Sequence, residues 1–131
     1  MIEFEHQVRV RYAEADRMGY VYYGNYAVYF EVARVEMLRS LGLPYKSLED
    51  KVSDFSVQYK KPAFYDDLLT IKTTIRKKPS VRIVFDYETF NEKGELLNTA
   101  SVTLVFVSKA TGKPVNPTDE FNIVFTPYFQ N

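Results

Sequence analysis

The chain has 131 residues, with 17 basic and 17 acidic side chains, a formal net charge of +0 and no Cys. This length supports one hydrophobic core, so a single domain spanning residues 1–131 is predicted. The balanced charge argues against a nucleic-acid binder, which would carry a basic excess or stripe. The absence of Cys excludes a thiol nucleophile, a disulfide framework and a Cys-ligated metal.

The first residues of the chain, MIEFEHQVRVRY, are charged and alternating and lack the apolar core of a signal peptide. No apolar run approaches the roughly 18 residues that a membrane span needs. We therefore predict a cytoplasmic protein that binds neither membranes nor nucleic acid. In the same segment Val8 and Val10 alternate with Arg9 and Arg11, which predicts a half-buried strand.

A long apolar helix is predicted to follow this strand. It starts near Gly24 or Asn25, since Asn is a preferred N-cap, and it ends at Gly42, with Pro44 just beyond. Apolar side chains between these ends cover most of the helix circumference, so other elements are expected to wrap it.

Four strands are predicted after the helix, at residues 55–59, 69–76, 81–88 and 96–108. Their connections are short, so they are expected to be antiparallel hairpin neighbours. The order β-α-β-β-β-β predicts an α+β fold in which an antiparallel sheet wraps around one long central helix. Residues 114–131 are expected to add a short strand near Ile123, to dock on a neighbour, or to be partly disordered.

One acid, Asp16, lies shortly before the predicted helix, and a Gly-punctuated aromatic turn at residues 19–25 connects the two. Free N–H groups at a helix N-terminus can hold a developing negative charge. A carboxylate beside such a site suffices to hydrolyse an activated acyl group, although Asp16 could also be only a turn or cap residue. No G-x-S-x-G segment and no metal-ligand spacing is present, so a serine triad and a metal site are not predicted.

Three pieces of the segment from residue 12 to 39 form one pattern: Tyr12-x-Glu14-x-Asp16-x-x-Gly19, Val21-Tyr22-Tyr23-Gly24-Asn25-Tyr26 and Phe30-Glu31-x-Ala33-Arg34. This pattern resembles the signature of hotdog-fold acyl-CoA thioesterases of the 4-hydroxybenzoyl-CoA thioesterase type. It also resembles the acyl-CoA thioesterases associated with bacterial Tol–Pal gene clusters. The later pieces Tyr59-x-x-Pro62-Ala63 and Asp66-Asp67-Leu68 extend the resemblance to roughly residues 6–117.

The resemblance implies a hotdog fold and an acyl-CoA thioesterase that needs no cofactor and no metal. It makes Asp16 the catalytic carboxylate and assigns the polarisation of the thioester carbonyl to the backbone N–H of Tyr23. Tyr12, Gly24 and Asn25 are predicted to contact substrate, although Tyr12 could simply pack and Asn25 could cap the helix. The resemblance also implies a homo-oligomer, either a dimer or a tetramer of two dimers, with active sites between subunits.

Two cations near the end of the predicted second strand, Lys60 and Lys61, are candidates to bind CoA, because CoA carries three phosphate groups. Ordinary solvated charges are the alternative. Glu14 lies two residues before Asp16 and is expected to be a structural or solvated acid rather than a second catalyst.

Alternatives to this function remain open at the level of the sequence. Asp16 could activate a water or attack the carbonyl to form an anhydride. The acyl group could be short, branched or aromatic, on CoA or on acyl-carrier protein; a short-chain or aromatic acyl-CoA is predicted. A non-catalytic acyl-CoA or acyl-carrier-protein binding module, supported by Ala15 and Tyr23, is the main alternative. A dehydratase is less favoured because the usual pairing of a His with an acid is not visible.

Overall fold

The computed structural model describes residues 1–43 and 50–129. Its elements, in chain order, are β1 (Ile2–Arg9), a 3-10 turn (Tyr12–Glu14), α1 (Asn25–Ser40), β2 (Asp50–Tyr59), β3 (Leu68–Ile75), β4 (Arg82–Phe90), β5 (Leu96–Phe106), α2 (Asp119–Phe125) and a 3-10 turn (Thr126–Phe129). The α+β class predicted from the sequence is therefore confirmed.

The five strands form one antiparallel sheet in the order β1-β3-β4-β5-β2. β2 pairs with β5 and not with β3, so the prediction that all successive strands are hairpin neighbours is wrong for this pair. The chain crosses the sheet between β2 and β3, where the carbonyl of buried Ala63 accepts the N–H of Val21 at 2.9 Å. Strand periodicity specifies which face is buried but not which strands pair, so the sequence pattern did not reveal this crossover.

One face of α1 packs on the apolar face of the sheet. Phe30 is completely buried there, and its ring stacks on that of Tyr87 in β4 with ring centroids 4.5 Å apart. The buried residues of the helix are Tyr26, Tyr29, Phe30, Ala33, Met37 and Leu38.

The opposite face of α1 is not covered, because Val28 and Val32 are 49% and 42% exposed. The expectation that the sheet wraps the helix therefore holds for one face only. The sheet also leaves apolar side chains uncovered at its β2 edge, where Phe55 and Tyr59 are each 40% exposed.

The C-terminal end of α1 closes as the sequence predicted. Gly42 adopts a φ of +73°, and its N–H donates to the carbonyl of Arg39 at 3.0 Å. The N–H of Leu43 donates to the carbonyl of Leu38 at 3.1 Å, which completes a Schellman motif. Pro44, which was predicted to prevent continuation of the helix, lies outside the described residues.

The segment after β5 forms a helix, so the prediction of a short strand or partial disorder there is wrong for the described residues. Asp119 and Glu120 lie in the first turn of α2, where their negative charges interact favourably with the positive end of the helix dipole. Phe121 and Phe125 are one helical turn apart and both are buried, so this segment docks on the core. No helix among the described residues is long and apolar enough to cross a membrane.

Candidate active site

Asp16 lies in a tight loop whose backbone fixes its carboxylate. Its N–H donates to the carbonyl of Tyr20 at 2.7 Å. Its Oδ1 atom accepts the N–H of Met18 at 2.8 Å and that of Tyr20 at 3.1 Å. Among the residues that the structure describes, no hydrogen bond reaches Oδ2. Asp16 is thus a turn residue, as the alternative interpretation held, and it also keeps one carboxylate oxygen available.

Two clefts meet at Asp16. One has a volume of about 360 Å³ and is lined by Tyr12, Ala15, Asp16, Arg17, Gly19 and Tyr65. The other has a volume of about 330 Å³ and is lined by Asp16, Tyr20, Val21, Tyr22, Tyr23 and Pro62. The structure therefore brings the predicted site residues Tyr12 and Tyr23 to the same carboxylate, one in each cleft. Tyr12 is 81% exposed and its ring also packs edge-on against Tyr65, with centroids 5.6 Å apart.

The start of α1 leaves backbone donors available beside the second cleft. Gly24 is the N-cap residue, and no side chain caps the helix there. The N–H groups of Asn25 and Tyr26 donate to the carbonyls of Tyr22 and Tyr23 at 2.9 and 3.1 Å. None of the backbone hydrogen bonds in the described loops uses the N–H of Tyr23 or Gly24. These two donors sit at the positive end of the helix dipole, where they can stabilise an anion.

Asn25 does not cap the helix, so that interpretation of the residue is wrong. It is the first residue of α1, and its Nδ2 donates to the backbone carbonyl of Glu14 at 2.9 Å. Cap preferences consider only the first few residues of a helix, so they could not predict a partner in the preceding loop, 11 residues earlier in the chain.

The residues around the helix start are closely packed. A Cβ atom on Gly24 would lie 2.8 Å from Cε1 of Tyr22, so Gly24 leaves room for that ring. The ring of Tyr23 stacks on Tyr59 of β2, with centroids 4.1 Å apart and planes inclined by 16°. This contact connects the helix start to the exposed edge strand.

Glu14 is buried, with an exposed fraction of 7%, and is fully hydrogen-bonded. Its Oε1 atom accepts the backbone N–H of Arg11 at 2.8 Å and the hydroxyl of Tyr29 at 2.9 Å. Its Oε2 atom accepts Nη2 and Nε of Arg11 at 2.7 and 3.2 Å. Burial would raise the pKa of Glu14, but the hydrogen bonds from Arg11 and Tyr29 outweigh it and lower that pKa below its ordinary value.

The sequence interpretation of Glu14 as a structural acid agrees with this geometry. Tyr29 was not predicted as its partner, because the two residues are 15 positions apart and no local pattern joins them. Burial and the Glu14 hydrogen bond raise the pKa of the Tyr29 hydroxyl above its ordinary value, so Tyr29 remains a donor.

The two candidate lysines differ in their surroundings. Lys61 forms an ion pair with Glu95 at 2.5 Å. Lys60 forms no ion pair with any described residue, and it directly follows Tyr59, whose ring stacks on Tyr23. Lys60 is therefore the freer of the two candidate cations. Within residues 1–43 and 50–129 no group of three or more acids and His is placed to hold a metal.

Comparison with known proteins gives three kinds of match. The profile of the Thioesterase superfamily matches residues 18–98. A putative acyl-CoA thioesterase, YneP of Bacillus subtilis, is 36% identical over 114 residues, which are 83% of each chain. The acyl-CoA thioester hydrolase YbgC of Escherichia coli O157:H7 is 35% identical over 116 residues, covering 85% of this chain and 87% of that protein.

Solved structures agree with the fold. A DHNA-CoA thioesterase from Staphylococcus aureus superposes with a TM-score of 0.90 at 37% identity, covering 98% of this chain and 91% of that chain. A mutant of 4-hydroxybenzoyl CoA thioesterase complexed with 4-hydroxybenzoyl CoA superposes with a TM-score of 0.82 at 19% identity, covering 94% and 98%, and shows the shared fold alone. The chain belongs to the thioesterase superfamily, which confirms both the resemblance to hotdog thioesterases and the prediction of a thioester hydrolase.

Proposed function

We propose that this protein hydrolyses the thioester of a short-chain or aromatic acyl-CoA to the free acid and CoA, with Asp16 as the catalytic carboxylate. The observation that carries the proposal is the geometry of Asp16. Its Oδ1 is held by two backbone N–H groups, its Oδ2 accepts no hydrogen bond from a described residue, and Asp16 lines both clefts. A carboxylate that is held in one orientation and still has one oxygen without a hydrogen-bond donor is suited to take a proton from water or to attack the thioester carbonyl.

The start of α1 supplies the second part of the mechanism. The thioester carbonyl oxygen rests against the N–H of Tyr23, and the N–H of Gly24 and the helix dipole reinforce this interaction as negative charge develops. Asp16 then acts in one of two ways. As a general base it takes a proton from the attacking water; as a nucleophile it forms an anhydride, expels the CoA thiolate and is regenerated by water.

Two features support the substrate class. Tyr20, Tyr22 and Tyr23 line the second cleft and offer aromatic surface to an acyl group. The related protein of Staphylococcus aureus is named for an aromatic CoA ester, and other relatives are named acyl-CoA thioesterases. We propose further that Lys60 binds a CoA phosphate and that Tyr12, Gly24 and Asn25 contact the substrate. The cytoplasmic location and the single domain stay predictions.

The test is release of free thiol from short, medium, long and benzoyl CoA esters by the wild type and by Asp16→Asn. We expect turnover to fall by at least about 100-fold in the variant, because its amide can neither take the proton nor attack. Asp66→Asn is the matched control: this acid lies in a neighbouring exposed loop and should keep activity. Full activity in Asp16→Asn would refute the assignment.

Single-turnover hydrolysis in heavy-oxygen water separates the two chemical routes. Label that enters Asp16 requires the anhydride, whereas label confined to the released acid indicates a general base. An inert wild type that still binds the CoA esters tightly would instead support the alternative of a non-catalytic binding module.

We also propose that the chain forms a dimer through β2, and a tetramer of two dimers. β2 is an edge strand with exposed Phe55 and Tyr59 on its inner face. Antiparallel pairing of two copies about Val57 would place Phe55 opposite Tyr59, which matches apolar surface on the two strands. Light scattering at micromolar concentration tests this proposal, and a monomer would contradict it.

A further inference from the structure

We propose that Glu14 is a positioning residue of this enzyme: it fixes the loop that carries Asp16 to the first turns of α1, and so sets the placement of the carboxylate relative to the N–H of Tyr23. This inference rests on the function proposed above. Glu14 does not reach either cleft, so it acts through Asp16 and the helix start rather than on the substrate itself.

The backbone of Glu14 holds both sides of the donor pair at the helix start. Its carbonyl accepts the N–H of Tyr22 and the side-chain Nδ2 of Asn25, each at 2.9 Å. Tyr22 and Asn25 flank Tyr23 and Gly24, the two residues whose N–H groups remain free. One carbonyl oxygen therefore fixes the segment that presents those groups.

The carboxylate of Glu14 anchors the same residue to the body of α1. Oε1 accepts the hydroxyl of Tyr29, which lies one turn beyond Asn25 on the same helix face. Arg11 holds the other side of the carboxylate through its backbone and its guanidinium. Glu14 is thus hydrogen-bonded to two successive turns of α1, at Asn25 and Tyr29, and to Arg11 in the segment before it.

The connection from Glu14 to Asp16 is short and rigid. Ala15 lies between them and forms an antiparallel bridge with Val21. The pairs formed by Asp16 with Tyr20 and by Glu14 with Tyr22 flank that bridge, so residues 14–22 make a small hairpin. A shift of Glu14 would therefore move the Asp16 loop and the Tyr23 segment relative to each other.

A purely structural role for Glu14 is the alternative, because a buried carboxylate must be paired and its loss would destabilise any protein. The two roles differ in how the loss of Glu14 combines with the loss of Asp16. Residues that act as a unit show non-additive losses, whereas independent effects multiply.

The experiment compares Glu14→Gln, Asp16→Asn and the double variant in steady-state hydrolysis, well below their unfolding temperatures. In Glu14→Gln the amide presents an N–H₂ group to a donor, which disturbs the hydrogen-bonded cluster while conserving volume. We expect kcat to fall about 10- to 100-fold with KM changed by less than about two-fold, the cost of a misplaced catalytic group. In the Asp16→Asn background the same change should cost less than about two-fold.

Two further variants support the comparison. Glu36→Gln is the matched control: Glu36 also pairs with an arginine, here Arg39 of the same helix, but it is half-buried and distant in sequence from the Asp16 loop, so the variant should keep full activity. Tyr29→Phe removes only the hydroxyl and should lower kcat less than Glu14→Gln does; it replaces Glu14→Gln if that variant does not fold. Losses that multiply in the double variant, or a kcat within two-fold of the wild type in Glu14→Gln, would overturn the proposal.

Amide hydrogen exchange gives a readout that does not depend on turnover. If the wild type hydrolyses no thioester, the proposed function fails while the positioning claim is still tested. We expect faster exchange at Tyr22 and the first amides of α1 in Glu14→Gln, with the sheet amides unchanged. Unchanged exchange at Tyr22, or a uniform increase over the whole chain, would overturn the positioning role.

Discussion

The hydroxyl of Tyr29 should contribute measurably to the stability of the fold, and Tyr29→Phe isolates this contribution. The ring is 2% exposed and packs edge-on against Tyr26 with centroids 5.7 Å apart, so phenylalanine preserves the packing. The only group removed is an O–H that donates to Oε1 of Glu14 at 2.9 Å.

The size of the effect follows from what Glu14 retains. A hydrogen bond to a charged group contributes about 1.5–3 kcal/mol. Glu14 still accepts three hydrogen bonds from Arg11 in the variant, so its buried negative charge does not become unpaired. We therefore expect Tyr29→Phe to lower the free energy of unfolding by about 1.5 kcal/mol at pH 7, the lower end of that range.

The same cluster predicts how this difference depends on pH. The pKa of Glu14 is lowered in the folded protein from an ordinary value of 4.5, so its contribution is fully present above that value. The contribution is lost as the pH falls through the folded pKa, because protonation releases part of the interaction with Arg11 and Tyr29. A neutral hydrogen bond contributes only about 1 kcal/mol, so the gap between the two proteins should narrow in acid.

Urea unfolding at fixed chain concentration, from pH 7 down to below pH 4, measures both quantities. Tyr128→Phe is the matched control; this tyrosine is 46% exposed, and its variant should differ from the wild type by less than about 0.5 kcal/mol. A change below about 0.5 kcal/mol at pH 7 for Tyr29→Phe, or a gap that widens in acid, would refute the reasoning.

Two other variants test separate features. Gly42→Ala places a side chain at a φ of +73° and should lower the free energy of unfolding by about 1–2 kcal/mol, measured in urea; an unchanged midpoint would contradict the left-handed helix ending. Lys60→Ala should raise KM for acyl-CoA up to about five-fold, as expected for an exposed ion pair. Lys61→Ala should have a smaller effect on KM because Lys61 already pairs with Glu95, and the reverse order in steady-state kinetics would contradict this ranking.

Local features of this fold were predictable from the sequence where one residue type determines the conformation. Gly42 predicted the end of α1, because few residues tolerate its left-handed backbone conformation. The start near residues 24 and 25 was predicted from the cap preference of Asn, and the helix does begin at Asn25, although its side chain does not cap. The motif around Asp16 predicted the turn that carries this acid and the helix start that follows it, while the catalytic role of Asp16 stays a prediction. These signals lie within a few residues of the structure they specify.

Features that depend on contacts distant in the sequence were not predictable in this way. The pairing of β2 with β5 follows from a crossover that leaves the alternation of Phe55, Val57 and Tyr59 unchanged. Asn25 is a residue type that often caps a helix, but its side chain donates to the backbone carbonyl of Glu14 and does not cap α1. The link from Glu14 to Tyr29 spans 15 residues, so only the folded chain reveals it.

The missing cap at Gly24 has a consequence for protein engineering. A Ser or Asp at a helix N-cap is an ordinary route to about 1 kcal/mol of added stability, and α1 does not use it. Here a side chain would displace the ring of Tyr22, and in the proposed mechanism an Asp would add a second negative charge beside the thioester carbonyl as it becomes an anion. A Ser or Asp at Gly24 is therefore expected to lose through this clash what a cap would gain, so a screen that scores only melting temperature should leave this glycine unchanged.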